Sequence, residues 1–286
     1  AWNKTITFEQ ALKTVLSGYF MSTVTPSSTG GSPAQMYVLS RSGLTWGEAG
    51  SLVVVCGILY QVSLLFLIGV FIFIFHIQVA LQGILLKLLY SFAIFYSIIM
   101  FLLFYFLYHP QVLYRFTNWI INFVKKYFRK VKFSEVAVRA WVEEFFDDFR
   151  RGFSILFLKK PQYLVWNVLF YNLRYLAIFM VAFWVLWSLG VFVHPLKVIG
   201  LQVPLNYIFS LMPTPGSSGG VEVSIASVFV PYISTQKIGI FVILWRTITF
   251  YFPLIIGGIS FFQIMMKPNS TVLPETIKYG DELEKG

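Results

Sequence analysis

Long uncharged segments dominate the pattern of hydrophobic and polar positions along this chain. The stretches 51–75 and 88–108 contain no charged residue, and 163–193 and 238–266 contain one arginine each. A helix needs roughly 20 mostly apolar residues to cross the hydrocarbon core of a bilayer. The pattern therefore predicts an all-α integral membrane protein in which these stretches are four full spans.

Two further apolar segments, about 6–40 and 199–233, are interrupted by turn-forming residues. Both turns begin with Thr-Pro and end with Gly-Gly, and the second begins 189 residues after the first. The apolar runs beside each turn are too short to cross a membrane, so each segment is predicted to be a re-entrant helical hairpin. The turn residues that are candidates for contact with a lipid headgroup are Thr25, Pro26, Gly30, Gly31, Thr214, Pro215, Gly219 and Gly220.

Three predicted spans separate the two hairpins, which is an odd number. The hairpins must then enter the membrane from opposite faces, as in the inverted repeats of transporters. The competing interpretation is two surface loops that are rich in turn residues. The predicted organisation is a first repeat over 1–110, a linker over 111–160, a second repeat over 161–266 and a tail over 267–286.

The linker has an amphipathic pattern of its own. Aromatic residues recur at every fourth position from Trp141 through Phe145 and Phe149 to Phe153, with charged residues between them. This spacing predicts an amphipathic helix that lies along the inner membrane face. Two roles are considered for it, a structural anchor between spans and a surface that guides lipid headgroups.

Composition and charge agree with a membrane protein and set its orientation. Charged residues make up 12% of the chain, against roughly 25% in soluble domains. The net charge is +10, and the basic residues cluster in the loop 109–161. Because Lys and Arg are enriched on the cytoplasmic side, we predict that this loop and the C-terminus are cytoplasmic in a multi-pass cell-membrane protein. The predicted partners are anionic membrane lipids rather than nucleic acid, and homo-oligomerisation is left open.

Charged residues at membrane depth are the candidate functional groups. Arg174 and Arg246 lie within predicted spans, Glu222 directly follows the second turn, and Glu48 lies close to the first span. Such charges are costly in a membrane and usually face a partner or a cavity. Two compatible interpretations follow: a Glu222–Arg246 ion pair that locks helices together, or a polar cavity in which the arginines attract an anionic headgroup.

No motif of soluble catalysis is found in the sequence. The three histidines have no metal-ligand spacing, and the single cysteine, Cys56, gives neither a disulfide nor a cysteine metal site. Nucleotide-binding glycine loops and nucleophile elbows are also missing. We therefore expect no cofactor, no metal and no catalytic residue.

The turn regions carry a resemblance to a known family. The runs TPSSTGGSPAQMYVLSRSGLTWGEA (25–49) and LMPTPGSSGGVEVSIASVF (211–229) resemble two signatures of the lysylphosphatidylglycerol synthase/flippase transmembrane family. The run WRTITFYFPLIIGG (245–258) resembles its last, arginine-containing span. The resemblance implies a lipid translocase in which Glu222 and Arg246 match the family's glutamate and arginine. Arg174 matches no family residue and is a candidate only because of its depth in the predicted span.

The resemblance also shapes the functional hypothesis. Bifunctional members join the membrane domain to an aminoacyltransferase, for which the residues after 266 leave no room, so a non-enzymatic stand-alone member is expected. Members also tend to begin with further spans, so we expect an incomplete N-terminal end. The predicted function is that of a flippase-like transporter for a lipid with an anionic, phosphate-containing, aminoacylated or glycosylated headgroup. The alternatives are a membrane-embedded lipid-modifying transferase and a non-catalytic scaffold for a lipid-synthesis complex.

Overall fold

A computed structural model describes residues 6–73, 135–210 and 214–266, together with isolated positions between them. Every regular element in this part of the chain is helical, as the sequence predicts. The α-helices are α1 (Phe8–Val24), α2 (Gly31–Arg41), α3 (Trp46–Phe73), α4 (Glu135–Ser154), α5 (Gln162–Ser188), α6 (Pro195–Ser210), α7 (Gly220–Phe229), α8 (Thr235–Arg246) and α9 (Phe252–Met265).

Three of the described helices are long and apolar enough to cross a membrane. They are Trp46–Phe71, Gln162–Ser188 and the continuous helix Thr235–Met265. They correspond to the first, third and fourth predicted spans. The second predicted span, 88–108, lies largely outside the described residues, as do the tail 267–286 and the linker before residue 135.

Two helix boundaries differ from the predicted ones, because a capping box or a turn, and not hydropathy, decides where the helix begins or ends. The third span was predicted to reach residue 193, but α5 ends at Ser188 because the backbone turns at Gly190, whose φ is +75°. The first span was predicted to begin at residue 51, but α3 already begins at Trp46. There the Thr45 backbone N–H donates to the Glu48 carboxylate and the Glu48 N–H donates to the Thr45 hydroxyl, which is a capping box.

The last span is one helix with an irregular centre. A π-helical stretch, Thr247–Tyr251, joins α8 to α9, and Pro253 follows at the start of α9. Proline has no N–H, so the carbonyl four residues before it, that of Thr249, lacks its usual helical donor. The hydroxyl of Tyr19 in α1 donates to that carbonyl at 3.1 Å. The defect in the last span therefore becomes an attachment point for α1.

Close packing of α1 against α9 completes this attachment. A Cβ placed on Gly257 would lie 2.6 Å from the carbonyl oxygen of Leu16, and one on Gly258 would lie 3.2 Å from the Phe20 ring. Small residues allow two membrane helices to approach closely, which increases their van der Waals contact. The glycine pair thus sets the distance between the first hairpin and the last span.

The two hairpins contact opposite ends of the last span. In the first hairpin α1 packs on α2, and Arg41 at the end of α2 donates to the carbonyl of Ile264 near the end of α9. In the second, α6 packs on α7, and the ring of Phe229 at the end of α7 packs at a tilt against that of Phe241 in α8, with 5.1 Å between the ring centres. The turns of the two hairpins pack against each other between these ends.

The aromatic face of the linker helix packs on the first span. Phe149 and Phe153 of α4 form a buried cluster with Val55 and Leu59 of α3. A Cβ on Gly47 would lie 2.2 Å from the Phe145 carbonyl oxygen, so the two backbones are in direct contact at the start of α3. These contacts favour the structural-anchor interpretation of the amphipathic helix.

We predict that Gly257→Ala destabilises the protein by about 1–3 kcal/mol, because the methyl group would overlap the Leu16 carbonyl and push α1 away. Thermal unfolding in detergent would measure the change. The matched control is Gly239→Ala in the same continuous helix, where a Cβ meets nothing within 4 Å. An equal effect of both substitutions would contradict the packing argument.

Candidate functional site

The two Thr-Pro turns have similar backbone conformations at the residues that follow each proline, before they diverge at Thr29 and Ser218. Ser27 and Gly216, which are 189 residues apart, have φ/ψ of 51°/26° and 58°/18°. The next residues, Ser28 and Ser217, also have positive φ, at 56° and 54°. Left-handed conformations are uncommon for serine, so their recurrence shows that the similarity between the two turns extends to their structure.

The same spacing continues beyond the turns. Helices α2 and α7 begin at Gly31 and Gly220, and the spans that follow them begin at Trp46 and Thr235, so both pairs are 189 residues apart. The order of half-helix, turn, short helix and span is thus repeated in the described structure. The repeat places each turn directly before the N-terminus of a short helix, where backbone N–H groups lack helical partners.

The second turn is held by an ion pair to the last span. Glu222, in the first turn of α7, accepts from the Arg246 Nε–H at 2.6 Å through one carboxylate oxygen. Its other oxygen accepts from the Gly219 backbone N–H at 2.7 Å. Arg246 in turn donates from Nη2 to the Gly216 carbonyl at 3.1 Å. Two side chains therefore satisfy turn backbone groups that have no helical partner.

Arg246 is enclosed within this arrangement. Its side chain is 7% exposed, against 29% for Glu222, and its guanidinium lies 4.1 Å from the centre of the Phe250 ring. Gly216 also contacts this ring, since a Cβ at its position would be 2.4 Å from it. The predicted Glu222–Arg246 pair is thus present, and of the two residues Glu222 is the accessible one.

The first turn is closed by its own threonine and lies against the second. The Thr25 hydroxyl donates to the Met21 carbonyl at 2.6 Å and accepts from the Gly30 N–H at 2.9 Å. The Thr23 methyl group lies near Gly216 in the second turn. The two turns are therefore in contact, although Thr214 is exposed and its hydroxyl donates locally to the Ser218 carbonyl.

Arg174 occupies the middle of α5. It is 12 residues from Gln162 and 14 from Ser188, or about 18 and 21 Å along the helix. Its guanidinium lies 5.7 Å from the centre of the Tyr60 ring, and its side chain is exposed. Tyr60 also packs edge-on against Tyr171, one turn before Arg174, at 5.5 Å. An exposed cation at this depth faces lipid or a cavity.

Tyr19 lies in the neighbourhood of both arginines. Its phenol lies within electrostatic range of both the Arg246 and the Arg174 guanidinium groups. The tyrosine also holds α1 to the π-helical stretch of the last span. Helix α5, which carries Arg174, also packs on α8 and on the π-helical stretch, so Arg174, Arg246 and the two turns lie in one region.

Glu48 has a separate place. It is buried at the start of α3, where its carboxylate accepts from the Thr45 N–H in the capping box. Its neighbour Gly47 contacts α4. The contacts of Glu48 are those of a helix cap, and they lie at the opposite end of α3 from the cluster that this helix forms with Tyr175 and Phe179 of α5.

Sequence reasoning did not select Tyr19, Tyr60 or Phe250. Aromatic residues make up 19% of this chain, so position alone does not separate these three from the others. One signal was available for Tyr19, because Pro253 predicts an unpaired carbonyl at Thr249. The donor for that carbonyl, however, comes from a helix 230 residues away.

Within the described ranges, no group of three or more His, Cys, Asp and Glu side chains is placed to hold a metal.

Comparison with known proteins adds a family to this geometry. A family model described as "Lysylphosphatidylglycerol synthase TM region" matches residues 1–257. A curated relative, a UPF0104 membrane protein of Archaeoglobus fulgidus, is 27% identical over 260 residues, which are 89% of this chain and 76% of the relative. No solved structure shows a significant match to the chain.

We predict that Glu222→Gln lowers stability by about 2 kcal/mol. This is below the 3–5 kcal/mol expected when a fully buried pair is broken, because Glu222 is partly exposed. The substitution leaves the enclosed Arg246 charge unpaired, so Glu222→Gln/Arg246→Gln should recover part of the loss. Thermal unfolding of the two single variants and the double variant forms a double-mutant cycle. Strictly additive losses would show that the pair has no coupling.

Proposed function

Because this chain belongs to the lysylphosphatidylglycerol synthase transmembrane family, we propose that it is a flippase-like transporter that moves a lipid with an anionic headgroup between leaflets. The family model describes the membrane region of such synthases, and the relative is described only as a membrane protein. We therefore base the proposal on the membrane region and extend no synthase activity to this chain.

The observation that carries the proposal is the meeting of the two turns beside the centre of the last span. The second turn contacts Phe250, which is 15 residues from either end of the helix Thr235–Met265, or about 22 Å. If this helix spans the bilayer, both turns lie near its midplane. Non-helical backbone is tolerated at that depth only where it is buried in protein or lines a wet cavity.

Opposite entry of the hairpins gives a basis for alternating access. We propose that the repeated elements form an inverted repeat, since their open ends contact opposite ends of the last span. In transporters built this way, the substrate site lies at the repeat interface and one repeat moves against the other. Here that interface is the contact between the two turns.

The charged groups have distinct roles in this proposal. The Glu222–Arg246 pair ties the second turn to the last span, so that the turn moves with that helix. Arg174 attracts the headgroup from the side of α5, and the N-termini of α2 and α7 offer N–H groups to its phosphate. Apolar side chains dominate the lipid-facing surface of α9, where the acyl tails would remain in the bilayer.

Reconstitution tests the proposal directly. Purified protein in vesicles should transfer fluorescent anionic lipids between leaflets faster than empty vesicles do, as measured by dithionite quenching of the outer leaflet. Arg246→Ala and Glu222→Gln should each reduce transfer at least about tenfold, equivalent to about 1.4 kcal/mol, because the second turn loses its attachment.

A matched variant separates this effect from general damage. Lys13→Gln removes an ion pair between Lys13 and Glu9, near the open end of the first hairpin, and should leave transfer unchanged. Wild-type protein that transfers no lipid above empty vesicles would refute the transporter proposal. Formation of a modified lipid upon addition of an activated donor would instead support the transferase alternative.

A further inference from the structure

Within the part of the chain that the structure describes, Arg174 has no intramolecular counter-ion at its depth. The chain has 12 acidic residues, and none lies within 49–134 or 149–221. The acidic residues are Glu9, Glu48, Glu135, Glu143, Glu144, Asp147, Asp148, Glu222, Glu275, Asp281, Glu282 and Glu284. Of the acidic residues that the structure describes, only Glu222 lies beside the two turns, and its carboxylate is bound to Arg246 and to the Gly219 N–H.

Among the described helices, the central region therefore carries one uncompensated positive charge. In the described part of the site, Arg246 and Glu222 neutralise each other and Arg174 remains. Contact with the Tyr60 ring attracts the guanidinium but supplies no negative charge. Two further cations lie at helix starts: the Lys197 ammonium of α6 is 4.6 Å from the centre of the Tyr232 ring, and Lys237 of α8 donates to the Leu189 carbonyl.

From this charge count we propose that Arg174 is the specificity-determining residue of the site and selects headgroups with one net negative charge. The inference deepens the proposed function and rests on it for the depth of the site. A monoanionic phosphodiester would make the region neutral overall. A zwitterionic headgroup would bring its own cation and leave the charge of Arg174 in place, and a dianionic headgroup would exceed it.

Because of its exposure, Arg174 rather than Arg246 is available to contact the ligand. Arg246 is buried and committed to Glu222, the Gly216 carbonyl and the Phe250 ring. Arg174 is exposed, and the planar fork of its guanidinium suits a phosphodiester. Arg246 is thus a positioning residue, whereas Arg174 is the residue that contacts the headgroup.

Lipid binding to the purified protein tests this inference independently of transport. Native mass spectrometry would compare phosphatidylglycerol with phosphatidylcholine, which share a phosphodiester but differ in net charge. We expect wild-type protein to prefer phosphatidylglycerol at least about tenfold, Arg174→Gln to bind both lipids about equally by losing phosphatidylglycerol, and Arg174→Lys to retain most of the preference. Excess inorganic phosphate should not compete, which would identify the lipid rather than the free anion as the ligand.

The control removes a cation–π pair of the same kind at a helix end. Lys197→Gln breaks the contact with Tyr232 and should keep the wild-type preference.

Chemical rescue avoids any dependence on the folding of the neutral variant. Cys56→Ala removes the single cysteine of the chain. In that background, Arg174→Cys should lose the preference for phosphatidylglycerol. Reaction with a cationic methanethiosulfonate should restore the preference, and reaction with an anionic one should not.

The results separate this inference from the transporter proposal. The inference is overturned if wild-type protein shows no preference, if Arg174→Gln keeps it, if both lipids are lost equally, or if the cationic reagent fails to restore it. A protein that binds phosphatidylglycerol selectively but moves no lipid would refute transport and leave Arg174 as a selectivity residue. A protein that moves lipid, and whose lipid preference is unaffected by substitution of Arg174, would support transport and refute the selectivity role of Arg174.

Discussion

The structure depends on the need to satisfy backbone groups where helices stop inside an apolar region. Each Thr-Pro turn interrupts a helical ladder, and in a bilayer an unpaired N–H or C=O group is costly. The first turn is satisfied locally, by the Thr25 hydroxyl. The second is satisfied from a distance, because Glu222 and Arg246 bind the Gly219 N–H and the Gly216 carbonyl. This difference attaches the second hairpin to the last span through charge.

The last span itself shows the same constraint. Pro253 deprives the Thr249 carbonyl of a helical donor, and a π-helical stretch precedes it. Tyr19 supplies the donor from α1, and the nearby Gly257 allows α1 to approach. A local defect in one helix is thus used to bind another, and the helix that binds there is the one that leads into the first turn. Both hairpins are therefore attached near the irregular centre of one helix, with opposite open ends, which is the arrangement on which the proposed transport mechanism depends.

Much of this arrangement could be predicted from residue patterns. Hydropathy indicated the three described spans, and the Thr-Pro to Gly-Gly repeat indicated two turns that share a left-handed residue directly after the proline. Boundaries were less accurate, because the cap at Thr45 begins α3 before its apolar stretch and the turn at Gly190 ends α5 within apolar sequence. The Glu222–Arg246 pair could be proposed because acidic residues are scarce near the spans. The aromatic partners could not, because phenylalanine and tyrosine are abundant throughout the chain.

The sequence by itself determined the helical class, the membrane character, the repeated turns and the charges at depth, because these depend on local composition, chain length and spacing. Only the tertiary structure decided how each charge is used. Glu48 and Glu222 both accept a backbone N–H at the start of their own helix, yet only Glu222 also binds Arg246. Arg174 and Arg246 both lie inside apolar spans, yet one is exposed beside Tyr60 and the other is enclosed. The physical reason is that the surroundings of a side chain depend on which distant helix packs beside it, and spacing along a single helix does not contain that information.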